Sequence, residues 1–139
     1  MLVYRVERYI DSSGPYGICS INDSSRERHP LPDEDSILRE KWMAIPRGTY
    51  HNYFFCFITK NQLMNWFGAS EQNDIIRHNK GKPHDVWIGV STYSCNDEDV
   101  LVGSSQCVFL MHKCQKIRFE TFEEDLKPVT LSVQMPAHL

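Results

Sequence analysis

The stretch Tyr50-His51-Asn52-Tyr53-Phe54-Phe55-Cys56-Phe57-Ile58 runs without a spacer into Thr59-Lys60-Asn61-Gln62. Nothing else in the chain limits its folding as much. The aromatic run, bounded by Gly48 and Thr59, predicts a buried strand. Thr59 and Gln62 match a capping box, in which the Thr59 hydroxyl accepts from the Gln62 amide and the Gln62 side chain returns to the Thr59 amide. Leu63, Met64, Trp66 and Phe67 follow at spacings that put an apolar stripe on one face, and Gly68 is placed to end the helix in a left-handed cap. A strand therefore feeds directly into a short packed helix.

Other segments read as strands. Leu2 to Ile10 has strand composition and stops at the turn cluster Asp11-Ser12-Ser13-Gly14-Pro15. Asp85 to Tyr93 alternates, with Val86, Ile88 and Val90 on one face and Trp87, Gly89 and Ser91 on the other. Val100 to Val102, Gln106 to Leu110 and Lys116 to Phe122 are further strands, and Val129 to Val133 is one more candidate. Between Tyr16 and Gly48 hydrophobic periodicity nearly vanishes, which predicts a long polar loop, with a short helix from about Asp33 to Trp42 capped by Asp33 or Asp35. Asp74 to Arg77 reads as another turn of helix. Strand-sized segments with one principal helix and no regular strand and helix alternation give an α+β fold, a single domain over residues 1–139 with a mainly antiparallel, twisted sheet.

The 139 residues suffice for a core without disulfide or metal staples. A net charge of -3 supplies no broad positive field, so a nucleic-acid partner is unsupported. Five cysteines form an odd set without a CxxC pair, and Cys56 and Cys107 lie inside apolar runs, so reduced thiols and an intracellular protein are expected. No apolar run is long enough to span a bilayer.

The chemistry-bearing motifs are sparse. The six histidines have no metal spacing, so no metal site is expected. His51, beside the aromatic strand, is the one candidate acid or base, as a partly buried imidazole. No GxSxG, P-loop or GxGxxG is present. Trp42, in a polar stretch beside Met43, is a candidate exposed contact residue, with Arg26 and Arg28 as basic companions in the long loop. On the first strand Arg5 and Glu7 share a side. Either they form an edge ion pair, or Arg5 points into a cleft.

Two resemblances rest on these residues. Tyr4-Arg5-Val6-Glu7, Gly14-Pro15-Tyr16, His29-Pro30 with Pro32 and Asp33, and the Phe57 to Phe67 strand and helix resemble a group of small proteins encoded by tailed phages and prophages. The order of a Tyr-Arg strand, an aromatic strand running into a helix, and a late strand ending in Gln-Cys-Val-Phe is similar to the ADP-ribosyltransferase fold. That second resemblance implies NAD as cofactor, Arg5 holding its phosphates or ribose, and Thr59 or Tyr53 shaping the nicotinamide pocket. It puts Gln106 where the family keeps an acid, and Gln cannot carry the charge that stabilises an oxocarbenium-like transition state. Glu98 is the nearest substitute. Together the resemblances imply a phage accessory protein in the cytoplasm of a bacterial host, binding a host protein, with an anti-defence role. An NAD-dependent transferase or a virion component are the alternatives.

Overall fold

The computed structural model describes residues 1–16, 32–122 and 126–128. Arg26, Arg28, His29, Pro30 and the candidate strand at Val129 to Val133 lie outside the described residues. In chain order the elements are β1 (Leu2–Arg8), α1 (Leu38–Met43), β2 (Tyr53–Cys56), α2 (Lys60–Trp66), α3 (Ala69–Asn79), β3 (Ile88–Ser94), β4 (Val100–Val102), β5 (Cys107–Leu110), β6 (Gln115–Phe122) and β7 (Leu126–Pro128). The fold is α+β, as the strand-rich pattern predicts, with every strand pair antiparallel.

The strands form two sheets, one ordered β1-β3-β6-β7 and the other β2-β5-β4. They are stitched together where Tyr4 and Phe57 exchange two backbone hydrogen bonds of 2.8 Å. β3 is central in the first sheet and is covered on both faces. On one face Ile88 and Val90 pack with Val6, Leu63, Trp66, Phe67, Ile75 and Phe122 under α2 and α3. On the other, Tyr93 packs with Val3, Cys56, Val100, Cys107 and Phe109 against the second sheet. Alternation along β1 therefore sends Val6 to the helices and Val3 to the second sheet.

Four local expectations change. β2 is an edge strand, so the aromatic run is not buried throughout: Phe54 and Phe55 remain 37% and 41% exposed. An apolar run marks a strand but does not say whether a neighbour covers it. Thr59 Oγ1 does accept from the Gln62 amide at 3.0 Å, but the Gln62 side chain returns to the Ile58 amide rather than to that of Thr59. Gly68 has φ -72° and ψ -177°, an extended link and not a left-handed cap, and its amide donates to Glu71 at the start of α3. The polar segment around Asp74 is an 11-residue helix, so the principal helix has a longer companion. It docks through Ile75, fully buried in the core, and through its end, where the Asn79 side chain pairs with both backbone groups of Ile88 at 2.8 Å.

Gly89 makes the closest approach in the central sheet. A Cβ there would lie 2.3 Å from the Glu120 carbonyl oxygen and 2.8 Å from Phe119 Cζ. Gly89→Ala is expected to cost about 1 to 3 kcal/mol or more in urea denaturation, because backbone cannot yield as a side-chain tip can. Gly14→Ala, whose added carbon meets only Arg5 at an ordinary 3.6 Å, is expected to change stability by about 0.5 kcal/mol or less.

Candidate functional site

Arg5 and Glu7 do pair, with Arg5 Nε 2.9 Å from Glu7 Oε1, but not as an exposed edge pair. Glu7 is fully buried and Arg5 nearly so. β1 lies at the edge of its sheet, yet its inward face is closed by the second sheet and by the turn after β1. The Glu7 carboxylate also meets Lys116 Nζ at 2.6 Å, Ser91 Oγ at 2.7 Å, Tyr93 Oη at 2.7 Å and Ser12 Oγ at 3.2 Å. The other Arg5 nitrogens donate to the carbonyls of Phe55 at 3.0 Å and Ser12 at 3.2 Å, and its guanidinium lies 5.2 Å from the Phe54 ring centre. Lys116 sits 5.7 Å from the ring centres of both Tyr9 and Tyr93. Burial, with the Glu7 carboxylate beside it, pushes the Tyr93 hydroxyl far above its ordinary value, so it remains a neutral donor.

This cluster has the residue types of a catalytic site but not the freedom of one. Ser12 takes a left-handed φ of 59° and lies 3.3 Å from Lys116 Nζ. A lysine ion-paired to a carboxylate has no lone pair with which to take the serine proton. The two oxygens of Glu7 are taken up by five side-chain donors. What the cluster does is hold β1, β3 and β6 and the turn at Ser12 to one another.

The residues singled out with Arg5 fall elsewhere. Thr59 is exposed and caps α2. Gln106 is fully buried at the β4–β5 turn, its carbonyl accepting from the Gly103 amide at 2.9 Å. Gln62, whose amide Thr59 caps, donates from its side chain to the Ser104 carbonyl at 3.3 Å, so the start of α2 adjoins the turn that holds Gln106, while Arg5 is held by Glu7, Phe55 and Ser12. Glu98 is exposed in the turn Asp97–Asp99. His51 is exposed rather than partly buried, because it stands in the turn Tyr50–Asn52 ahead of β2. Among the described residues, no group of three or more His, Cys, Asp or Glu side chains is placed to hold a metal ion. Nor is any helix among them long and apolar enough to cross a membrane.

Trp42 and Tyr53 are brought together. The half-buried Trp42 ring lies 4.8 Å from that of Tyr50 and 6.2 Å from that of Tyr53, and alternation puts the exposed Phe55 on the same face of β2 as Tyr53. Around this aromatic face the chain carries the exposed Arg39, Arg47 and His51. Residues 39–51 hold three Lys or Arg against one Glu, in a chain whose net charge is -3.

Asp35 holds this face in position. Its carboxylate accepts from the Ile37 and Leu38 amides at 3.1 and 3.0 Å, starting α1, and from the amides and hydroxyls of Ser104 and Ser105 at 2.9 to 3.1 Å. Gly103 leaves room for it, since a Cβ there would fall 2.7 Å from Asp35 Oδ2. Burial alone would push the Asp35 carboxyl up, but the amides of Ser104, Ser105 and Leu38 outweigh it and hold the group well below the usual carboxylate range. The capping role was readable in the sequence. The clasp on a turn some 70 residues away was not.

Residues 1–123 match the family model described as Bacteriophage T4 Y00F protein. No curated protein and no solved structure matches the chain. The matched span runs from β1 through β6 and contains Glu7, Asp35, Trp42, Tyr93 and Lys116.

Glu7→Gln leaves two cations facing a neutral amide and is expected to cost about 3 to 5 kcal/mol in chemical denaturation. For Asp35, a lowered folded-state value means its stabilisation is complete above the unfolded value of about 4 and is lost as pH falls towards the folded value. Asp35→Asn is therefore expected to be less stable than wild type at pH 7 and to lose less stability on acidification below about pH 4, as followed by urea midpoints across that range.

Proposed function

We propose a binding role for this chain, which belongs to the bacteriophage T4 Y00F protein family and is thereby a small phage protein. It acts as an accessory protein that holds a host protein through the Trp42 face, in the cytoplasm of a bacterial host, and an inhibitor of host defence is the role such binding would serve. The observation that carries the reading is a joined set of aromatic rings, Trp42, Tyr50 and Tyr53, set beside the exposed Phe55 and flanked by Arg39 and Arg47. Tryptophan, tyrosine and arginine are the side chains that dominate protein interfaces. The excess of cations there favours an acidic partner surface. Arg26 and Arg28 belong to the same basic, polar stretch of sequence and lie outside the described residues.

The contrast with the buried cluster supports binding over catalysis. An NAD-consuming protein would have to draw Arg5 away from Glu7, Phe55 and Ser12 before its guanidinium met a phosphate.

Immobilised protein, exposed to nuclease-treated lysate of a bacterial host, is expected to retain one host protein stoichiometrically. Trp42→Ala and Arg47→Glu should each lower that retention about tenfold or more, as truncation of an interface hot spot does, while Lys80→Glu in the loop after α3 leaves it unchanged. Equal retention by all variants would overturn the Trp42 face, and a rise in melting temperature with millimolar NAD that Arg5→Ala removes would replace this reading with the NAD-binding one.

A further inference from the structure

Two of the cysteines stand opposite each other at the end of a ladder. The β3–β6 register pairs Tyr93 with Lys116 and Ser94 with Gln115, so its next step pairs Cys95 with Cys114. Cys95 spends both backbone groups on the other side, its amide donating to the Met1 carbonyl at 2.8 Å and its carbonyl accepting from the Met1 amine at 2.6 Å. The Cys114 amide donates to the Met111 carbonyl at 3.0 Å. Cys95 and Cys114 therefore occupy a non-hydrogen-bonded cross-strand position, where Cα atoms are about 4.5 Å apart and side chains come closest, within the range a disulfide spans. Both thiols are free and both pack in the cluster between the sheets, where Cys114 Sγ donates to the Leu110 carbonyl at 3.3 Å.

The pair differs in access from the other juxtaposed thiols. Cys56 and Cys107 also face each other in register, with Cys107 Sγ donating to the Cys56 carbonyl at 3.2 Å, but both are 0% exposed. Cys114 is half-buried, whereas Cys95 is 6% exposed.

We propose that Cys95 and Cys114 are a redox modification site that forms an intramolecular disulfide on reaction with a low-molecular-weight disulfide. The Cys114 thiol loses its proton to solvent, its thiolate attacks one sulfur of the reagent, and one small thiolate leaves. Cys95, deprotonated in turn, attacks Cys114 Sγ in the mixed disulfide and expels the second small thiolate. Two electrons pass from the protein to the reagent, which ends as two thiols. The product ties the end of β3 to the start of β6 beside the amino terminus. Burial holds the Cys95 thiol well above its ordinary value, which makes the second step the slow one.

The test uses the whole folded chain carrying Cys19→Ser, incubated with excess oxidised glutathione, quenched by alkylation and mapped without reduction. The expected product is about 2 Da lighter, with the peptides of Cys95 and Cys114 joined. Cys95→Ser should stop at a single glutathione adduct on Cys114, and Cys114→Ser should give neither adduct nor link. Joining of Cys56 to Cys107, full alkylation of all thiols after native incubation, or a Cys95–Cys114 link that forms only in urea would each overturn the assignment.

Discussion

A carboxylate taken fully out of water is tolerated only when cations and hydrogen-bond donors replace its hydration. Glu7 meets that requirement with five side chains drawn from β1, the following turn, β3 and β6, so satisfying one charge fixes the mutual position of most of the first sheet. Arg5, recruited to that carboxylate, then carries the constraint across to the second sheet through the Phe55 carbonyl. A second buried acid repeats the device on a smaller scale. Glu120 on β6 is met by Lys60 at 2.8 Å, which pins the start of α2 to the sheet.

Reactivity and recognition are in this way separated in space. The groups with chemistry to offer, Ser12, Tyr93, Lys116 and Glu7, are turned inward and answer to each other. The groups turned outward on α1 and β2 are Arg39, Glu40, Lys41 and Met43 and the rings of Phe54 and Phe55. The interior is thus knit by charge and hydrogen bonds, while aromatic side chains of β2 remain exposed.

The strands and the antiparallel, α+β character were legible because alternation and turn clusters are local signals. Val100 to Val102 is recovered residue for residue and β1, β2, β3, β5 and β6 to within a few positions, while β7 at Leu126–Pro128 was not read from the sequence. Which strand lies at an edge is a tertiary fact, and for that reason Phe54 and Phe55 read as buried when they are not. α3 was under-read because its sequence is polar apart from Ala69, Ile75 and Ile76, and part of its attachment is Asn79 mimicking a strand partner. For the site, the shared side of Arg5 and Glu7 followed from period two, whereas Ser12, Ser91, Tyr93 and Lys116 carry no local mark of the carboxylate they serve. Lys116 could have been found only by knowing that β6 lies beside β3.

The Asp35 clasp has a consequence for how the molecule opens. Its donors come from the beginning of α1 and from the β4–β5 turn, so parting the two segments leaves at least one set of donors without its acceptor. Closing so long a loop costs entropy that short-range contacts do not recover, which places the clasp among the later steps of folding. The aromatic face and the distant hairpin are in this way coupled through one side chain. Any partner seated on Trp42 would therefore slow amide exchange at Ser104 and Ser105 without touching them.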